Sequence, residues 1–305
     1  MINMFPQDKL FLENYQNDRK LKRQSLIQEI EKKTKRRLIV YTANFQHAAG
    51  AIQRQDILVM EDLLRIVSDS GAKEIDLMIQ SPGGELSATE KILEMIRNRF
   101  KSFRLIVPNE AKSAATMLGL GSDEIVMGHT SELGQIDPQI LKPLPNGSFT
   151  FIPAYALINT LETIKDKINK KEPYQMYLPI LSNIEPEMID ICSKVIAESK
   201  EIAEEWLKKY MLKNDGKKAK KIVEDLSSTK VFKTHGKLIS AKEAKELGLN
   251  IKILDKEDEL WKLIWELYYR SELAFGEMPG IVKLFETAES SVNMNVQIAQ
   301  IVKQG

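Results

Sequence analysis

The chain has 305 residues, 43% hydrophobic and 29% charged, with a formal net charge of +1. That length can fill one large core or two small ones, and the near-neutral balance gives no electrostatic reason to expect a nucleic-acid partner. The single cysteine, Cys192, excludes an intramolecular disulfide and a multi-cysteine zinc site. No apolar run approaches the roughly 18 residues a transmembrane helix needs, and the N-terminus lacks the order of a secretory signal. A cytoplasmic setting is expected, with membrane contact at most peripheral.

Residues 1–36 read as a charged helical arm, solvated or used as an oligomer contact, with sparse apolar positions such as Leu21, Ile27 and Ile30. Acids interrupt its basic residues, which argues against a nucleic-acid arm. Arg37–Thr42 is the first core strand. Asn44–Arg54, carrying His47, is a loop expected near the active face. Helix Asp56–Ser68, strand Ile75–Ile79, helix Glu85–Arg99, strand Phe103–Val107, helix Ser113–Leu120 and strand Glu124–Met127 then alternate. Such alternation means an α/β core with a mainly parallel sheet.

From Leu141 the pattern changes. LKPLPNGSFTFIP reads as a turn-rich link, and Ala154–Ile168 and Glu187–Tyr210 read as helices, so a helical insertion is expected over about 150–228. Cys192 sits in an apolar helical stretch and reads as a buried structural thiol. Ser240 and Glu243 have capping-box spacing, Gly248 stops that helix, and Ile251–Leu254 is a short strand returning to the core. The expected divisions are the arm 1–36, a catalytic domain 37–255, and a helical extension 256–305. That extension holds the aromatic-rich helix Glu257–Phe275, an amphipathic segment to about Glu289, and a strand-like alternation in VNMNVQI; an oligomer contact is its expected use.

Two stretches carry the chemistry. Glu74–Gln80 is a buried-strand pattern that stops at Ser81-Pro82-Gly83-Gly84, where paired glycines expose backbone N–H groups and permit positive φ. Ser113 opens a helix of small residues. A hydroxyl there, facing amides from a neighbouring glycine turn, is placed for acyl transfer with the oxyanion held by backbone donors. Together with Ala111–Thr116 and Ser131–Gln139, in that order, the chain resembles the serine dehydrogenase proteinase family, a branch of the Clp/signal-peptide-peptidase/crotonase superfamily. The resemblance runs from about Arg37 to Leu254 and more loosely to the C-terminus. It implies the ββα spiral of the Clp/crotonase fold, a serine peptidase acting on a peptide or protein, and a homo-oligomer.

A serine needs a base and an orienter. Of the three histidines, His47 and His129 read as structural or rim residues. Ser113, Asp137 and His235 occur in the chain order Ser–Asp–His, an order that also serves on the unrelated α/β-hydrolase fold. The resemblance supports that triad. Clp-type proteases differ, with a histidine roughly where Gln135 stands here, and Gln135 cannot accept a proton from serine. A serine–lysine dyad is the alternative: Lys112 adjoins Ser113 but points about 100° away, so Lys142 is the better base. The oxyanion hole would combine Gly83 or Gly84 with Ala114. The strand before Ser81 and its neighbours would offer an edge for an added peptide strand.

No Gly-x-Gly-x-x-Gly follows a strand and no phosphate-binding Gly-x-x-x-x-Gly-Lys-Ser/Thr is present, so no cofactor is expected and any ATP hydrolysis would belong to a separate unfoldase. No metal site is expected either. Two other readings stay open: a crotonase-like acyl-CoA enzyme, and a catalytically silent scaffold on the same fold.

Overall fold

The computed structural model describes residues 6–143, 149–227, 238–278 and 280–296, with side chains from residue 19 on except at 141–151. The chain divides into two compact units, one formed by residues 1–133 and 239–305, the other by 134–238.

The first unit opens with helix α1 (Pro6–Thr34) and alternates through β1 (Arg37–Ala43), α2 (Asp56–Asp69), β2 (Glu74–Gln80), α3 (Leu86–Arg99), β3 (Ser102–Val107), the two-residue β4 (Glu110–Ala111), α4 (Ala114–Leu120), β5 (Glu124–Met127) and β6 (Glu132–Leu133). Strands β1, β2, β3 and β5 are parallel neighbours, with Ile75 opposite Phe103 and Leu105 opposite Ile125. Residues Ile75–Gln80 are buried on both faces. Helices cover both sides of a parallel sheet, and this produces unbroken apolar runs such as IDLMI. The α/β reading with a mainly parallel sheet therefore stands.

The second unit begins with β7 (Gln139–Pro143) and β8 (Phe149–Pro153), an antiparallel pair with Ile140 opposite Ile152. The turn-rich link read from LKPLPNGSFTFIP is thus strand where described; Pro143 and Pro153 stand at the ends of the two strands, where ladder donors are not required. Helices α5 (Ala154–Asn169), α6 (Leu178–Leu181), α7 (Pro186–Trp206) and α8 (Gly216–Leu226) complete it. Ile140, Ala154, Cys192 and Ile196 share a small core, and burial pushes the Cys192 thiol up.

The chain returns to the first unit through β9 (Ile239–Ser240), α9 (Ala241–Glu246) and β10 (Ile251–Ile253), which extends the sheet parallel to β5. The capping box is present: Ser240 Oγ accepts from Glu243 N (3.3 Å) and Glu243 Oε2 accepts from Ser240 N (2.9 Å). Helix α10 (Glu259–Glu277) follows, then β11 (Ile281–Glu286) and β12 (Ser291–Asn295). The seven-stranded order is β10-β5-β3-β2-β1-β11-β12.

Three further expectations change. The segment after Gly280 is a strand where an amphipathic continuation of the helical extension was expected. IVKLFE is buried at every position, and a short apolar run cannot by itself tell a buried strand from a buried helix. The charged arm is not free at its C-terminal half: Leu26, Ile27 and Ile30 are buried with Leu38, Val40, Trp261, Ile264 and Leu267. Arg23 is also buried, donating to Glu286 (2.8 and 2.9 Å). Finally, β2 has β1 on one side and β3 on the other, so it offers no edge to a peptide.

Candidate active site

Strands β1, β2 and β3 end side by side, so the loops after them meet at the carboxyl edge of the sheet, where open α/β sheets place their sites. These loops are Asn44–Gln55, Ser81–Glu85 and Pro108–Ser113. Three bonds fasten the glycine turn to the serine segment: Ser81 N donates to Glu110 O (3.1 Å), Lys112 N to Ser81 O (3.0 Å), and Glu110 N to Gln80 Oε1 (2.7 Å).

Gly83 has φ +93°, and a Cβ built on it would stand 2.6 Å from Lys112 O, 2.8 Å from Ser113 Cβ and 3.0 Å from Ala114 N. The glycine turn therefore touches the serine corner directly. Gly83 N donates to Ser81 Oγ (3.2 Å), while the Gly84 amide has no hydrogen-bond partner among the described residues. Ala114 is the first residue of α4, and intrahelical bonding leaves such an amide unused.

Ser113 itself has φ +48° and ψ −115°. That is sparsely populated backbone for a residue with a side chain, and strain of this kind costs on the order of 1–3 kcal/mol. Ser113 stands at the N-cap position of α4, but its hydroxyl makes no capping bond to that helix. It is thus a half-buried serine on a strained turn between a strand and a helix.

The flanks of this corner are fixed by charge. Lys112 pairs with Glu132 and lies 3.7 Å from Glu110, which ties it to these acids. Burial pushes the Glu110 carboxyl up and Glu132 adds to this, against the pull of Lys112. Asn109 Nδ2 links Glu110 Oε1 (3.3 Å) to the Tyr268 hydroxyl (3.2 Å) on α10. Also on α10, Glu272 is raised to about 7 by burial and by the Glu110 charge.

The remaining sequence-derived site residues belong to the second unit. Asp137 is buried at 5% exposure, as is Gln135. His235 and the Lys142 side chain lie outside the described residues. The other two histidines are exposed: His47 Nδ1 accepts from Ala49 N (3.0 Å), and His129 stands edge-on to Trp261.

Sequence reasoning missed Ile52. Its amide donates to Gly83 O (2.7 Å) and its carbonyl accepts from Glu85 N (2.9 Å), so it brackets Gly84. The loop was legible as near the active face, but a backbone pairing of one residue leaves no side-chain signal.

A family model for ClpP-like SDH-type serine proteinases matches residues 9–279, nearly the whole chain. The chain belongs to that family. Two curated relatives are uncharacterized proteins of Methanocaldococcus jannaschii. One is 29% identical over 209 residues, covering 68% of this chain and 63% of its own; the other is 29% identical over 177 residues, covering 58% and 51%. The chain thus spans under two thirds of the length of these relatives. Among solved structures, the 1510-N membrane-bound stomatin-specific protease, in a mutant form, aligns at 18% identity and TM-score 0.42, over 70% of this chain and 79% of that one. ClpP1 from Listeria monocytogenes aligns at 13% identity and TM-score 0.40, over 73% and 94%. Among the described residues, no helix is long and apolar enough to cross a membrane.

Proposed function

We propose that this member of the ClpP-like serine proteinases hydrolyses peptide bonds through an acyl-enzyme on Ser113. The observation that carries the reading is the Ser113 backbone: a strained, uncapped serine in contact with a glycine turn whose Gly84 amide is unspent. A fold that only needed a helix start would place a relaxed capping serine there.

In the proposed reaction, Ser113 Oγ attacks the substrate carbonyl while His235 accepts its proton. Asp137 holds the imidazole. The tetrahedral oxyanion is received by the amides of Gly84 and Ala114, with Gly83 shaping the turn. The C–N bond then breaks as His235 returns the proton to the leaving amine, and water releases the acyl group by the same steps. Withdrawing one oxyanion donor costs about 2.7–4 kcal/mol in the transition state. Self-association into a homo-oligomer belongs to the same proposal, as does a separate ATP-dependent unfoldase for folded substrates.

The test compares labelling by a fluorophosphonate probe in wild type, Ser113→Ala, His235→Ala and Lys142→Ala. Labelling is expected to vanish in Ser113→Ala, to fall by several orders of magnitude in His235→Ala, and to change little in Lys142→Ala. Loss in Lys142→Ala with retention in His235→Ala would replace the triad by the serine–lysine dyad. Equal labelling of wild type and Ser113→Ala would end the hydrolase reading.

A further inference from the structure

Asp56 is fully buried in the first turn of α2, and its carboxylate collects donors from three parts of the chain. Lys283 Nζ on β11 donates to both oxygens (2.7 and 2.8 Å), the Tyr41 hydroxyl on β1 donates at 2.7 Å, and Gln53 N at 2.9 Å. Lys283 is 1% exposed and Tyr41 is fully buried. Burying an ion pair is expensive, and apolar residues of similar volume are often as stable in its place. Stability alone is therefore a poor reason for this cluster.

What the cluster fixes is the Gln53 amide, and Gln53 follows Ile52. Ile52 brackets Gly84 through its bonds to Gly83 O and Glu85 N. There is no slack between them: a Cβ on Gly84 would lie 2.2 Å from Ile52 O and 2.4 Å from Ile52 N. Burial lowers the Lys283 ammonium, while the charges of Asp56 and of Glu85, the residue after Gly84, oppose this.

We infer that Lys283 and Asp56 are positioning residues that hold the Gly84 amide in line for the oxyanion, through Gln53 and Ile52. This deepens the hydrolase reading and rests on Gly84 being an oxyanion donor. It also gives the C-terminal hairpin, far in sequence from every motif, a working part in the site.

The test is the double variant Asp56→Leu/Lys283→Met, which removes both charges together and leaves none stranded. Three things are measured: melting temperature, the kcat and KM of a peptide ester with the rate of fluorophosphonate labelling, and amide hydrogen exchange at Ile52 and Glu85. The melting temperature is expected to fall by several degrees without loss of the fold, because the Tyr41 hydroxyl and the Gln53 amide lose their buried acceptor. The kcat and the labelling rate are expected to fall about 10²-fold at nearly constant KM, the loss associated with one oxyanion donor. Exchange at Ile52 and Glu85 is expected to speed up at least tenfold while Leu105 in β3 stays protected. A purely structural pair would instead let activity follow melting temperature. Unchanged exchange at Ile52 and Glu85, or undiminished labelling in a folded double variant, overturns the inference. If the double variant does not fold, Asp56→Asn/Lys283→Met, which keeps the volume and an acceptor for Tyr41 and Gln53 and strands no charge, is read the same way, with a roughly tenfold loss expected. If wild type itself fails to label, the hydrolase reading falls, and the exchange measurement still decides whether the pair governs the turn.

Discussion

Gly83→Ala tests the contact between the glycine turn and the serine corner. The new Cβ would sit 2.6 Å from Lys112 O, against the 3.4 Å at which ordinary van der Waals contact begins, so turn and corner must part by about 0.8 Å. The obstacles are a backbone carbonyl, the Ser113 Cβ and the Ala114 nitrogen, none of which is a flexible side-chain end. Positive φ at +93° adds strain on the order of 1–3 kcal/mol. A displacement near 1 Å in a catalytic constellation costs roughly 10²-fold in rate. Gly71→Ala is the control: it has φ +81° but nothing within 4 Å of its Cβ, so it carries backbone strain without displacement. The assay is kcat for peptide-ester hydrolysis beside the melting temperature of both variants. Both are expected to lose some stability, and only Gly83→Ala to lose about 10²-fold in kcat. Activity within threefold of wild type in a folded Gly83→Ala would refute the reasoning.

Replacing Ser113 by glycine removes the positive-φ strain that alanine retains, so Ser113→Gly is expected to exceed Ser113→Ala in stability by about 1 kcal/mol in denaturant melts, neither being active. Equal midpoints would show that the turn carries no strain. Glu272, raised to about 7 from 4.5, binds its proton more tightly folded than unfolded, so its contribution is full below about pH 4.5 and is lost as pH rises through 7. Discounted for partial solvent access, the loss between pH 5 and 8 is roughly 1–2 kcal/mol. Glu272→Gln is expected to flatten that stretch of the stability curve, and an unchanged slope would contradict the assignment. Cys192, buried with its thiol pushed up, is expected to resist thiol reagents until the protein unfolds.

The parallel core was legible because strands such as Glu74–Gln80 are short apolar runs bounded by turn residues, and the helices between them show 3.6-residue spacing. Gly83 and Gly84 were legible too, since paired glycines after a strand signal unusual backbone, and both have positive φ. The strain at Ser113 was not: serine is common at helix starts, and only neighbouring structure can force one into φ +48°. β11, expected only as an amphipathic segment of the helical extension, was not legible as a strand because burial on both faces erases the alternation that marks one. Long-range charge pairing, such as Lys283 with Asp56, leaves no spacing signal across the intervening chain. The half-buried N-terminal helix was obscured by its charge, since Arg23 counts as polar in a sequence yet is buried against Glu286.

The central claim is that Ser113 Oγ forms a covalent acyl-enzyme. Intact-mass and peptide-mapping analysis of protein acid-quenched during turnover of an activated peptide ester tests it most directly. The account predicts one added acyl mass, mapped to the peptide containing Ser113 and missing from Ser113→Ala. An acyl adduct that persists in Ser113→Ala, or hydrolysis that survives that substitution, would contradict it.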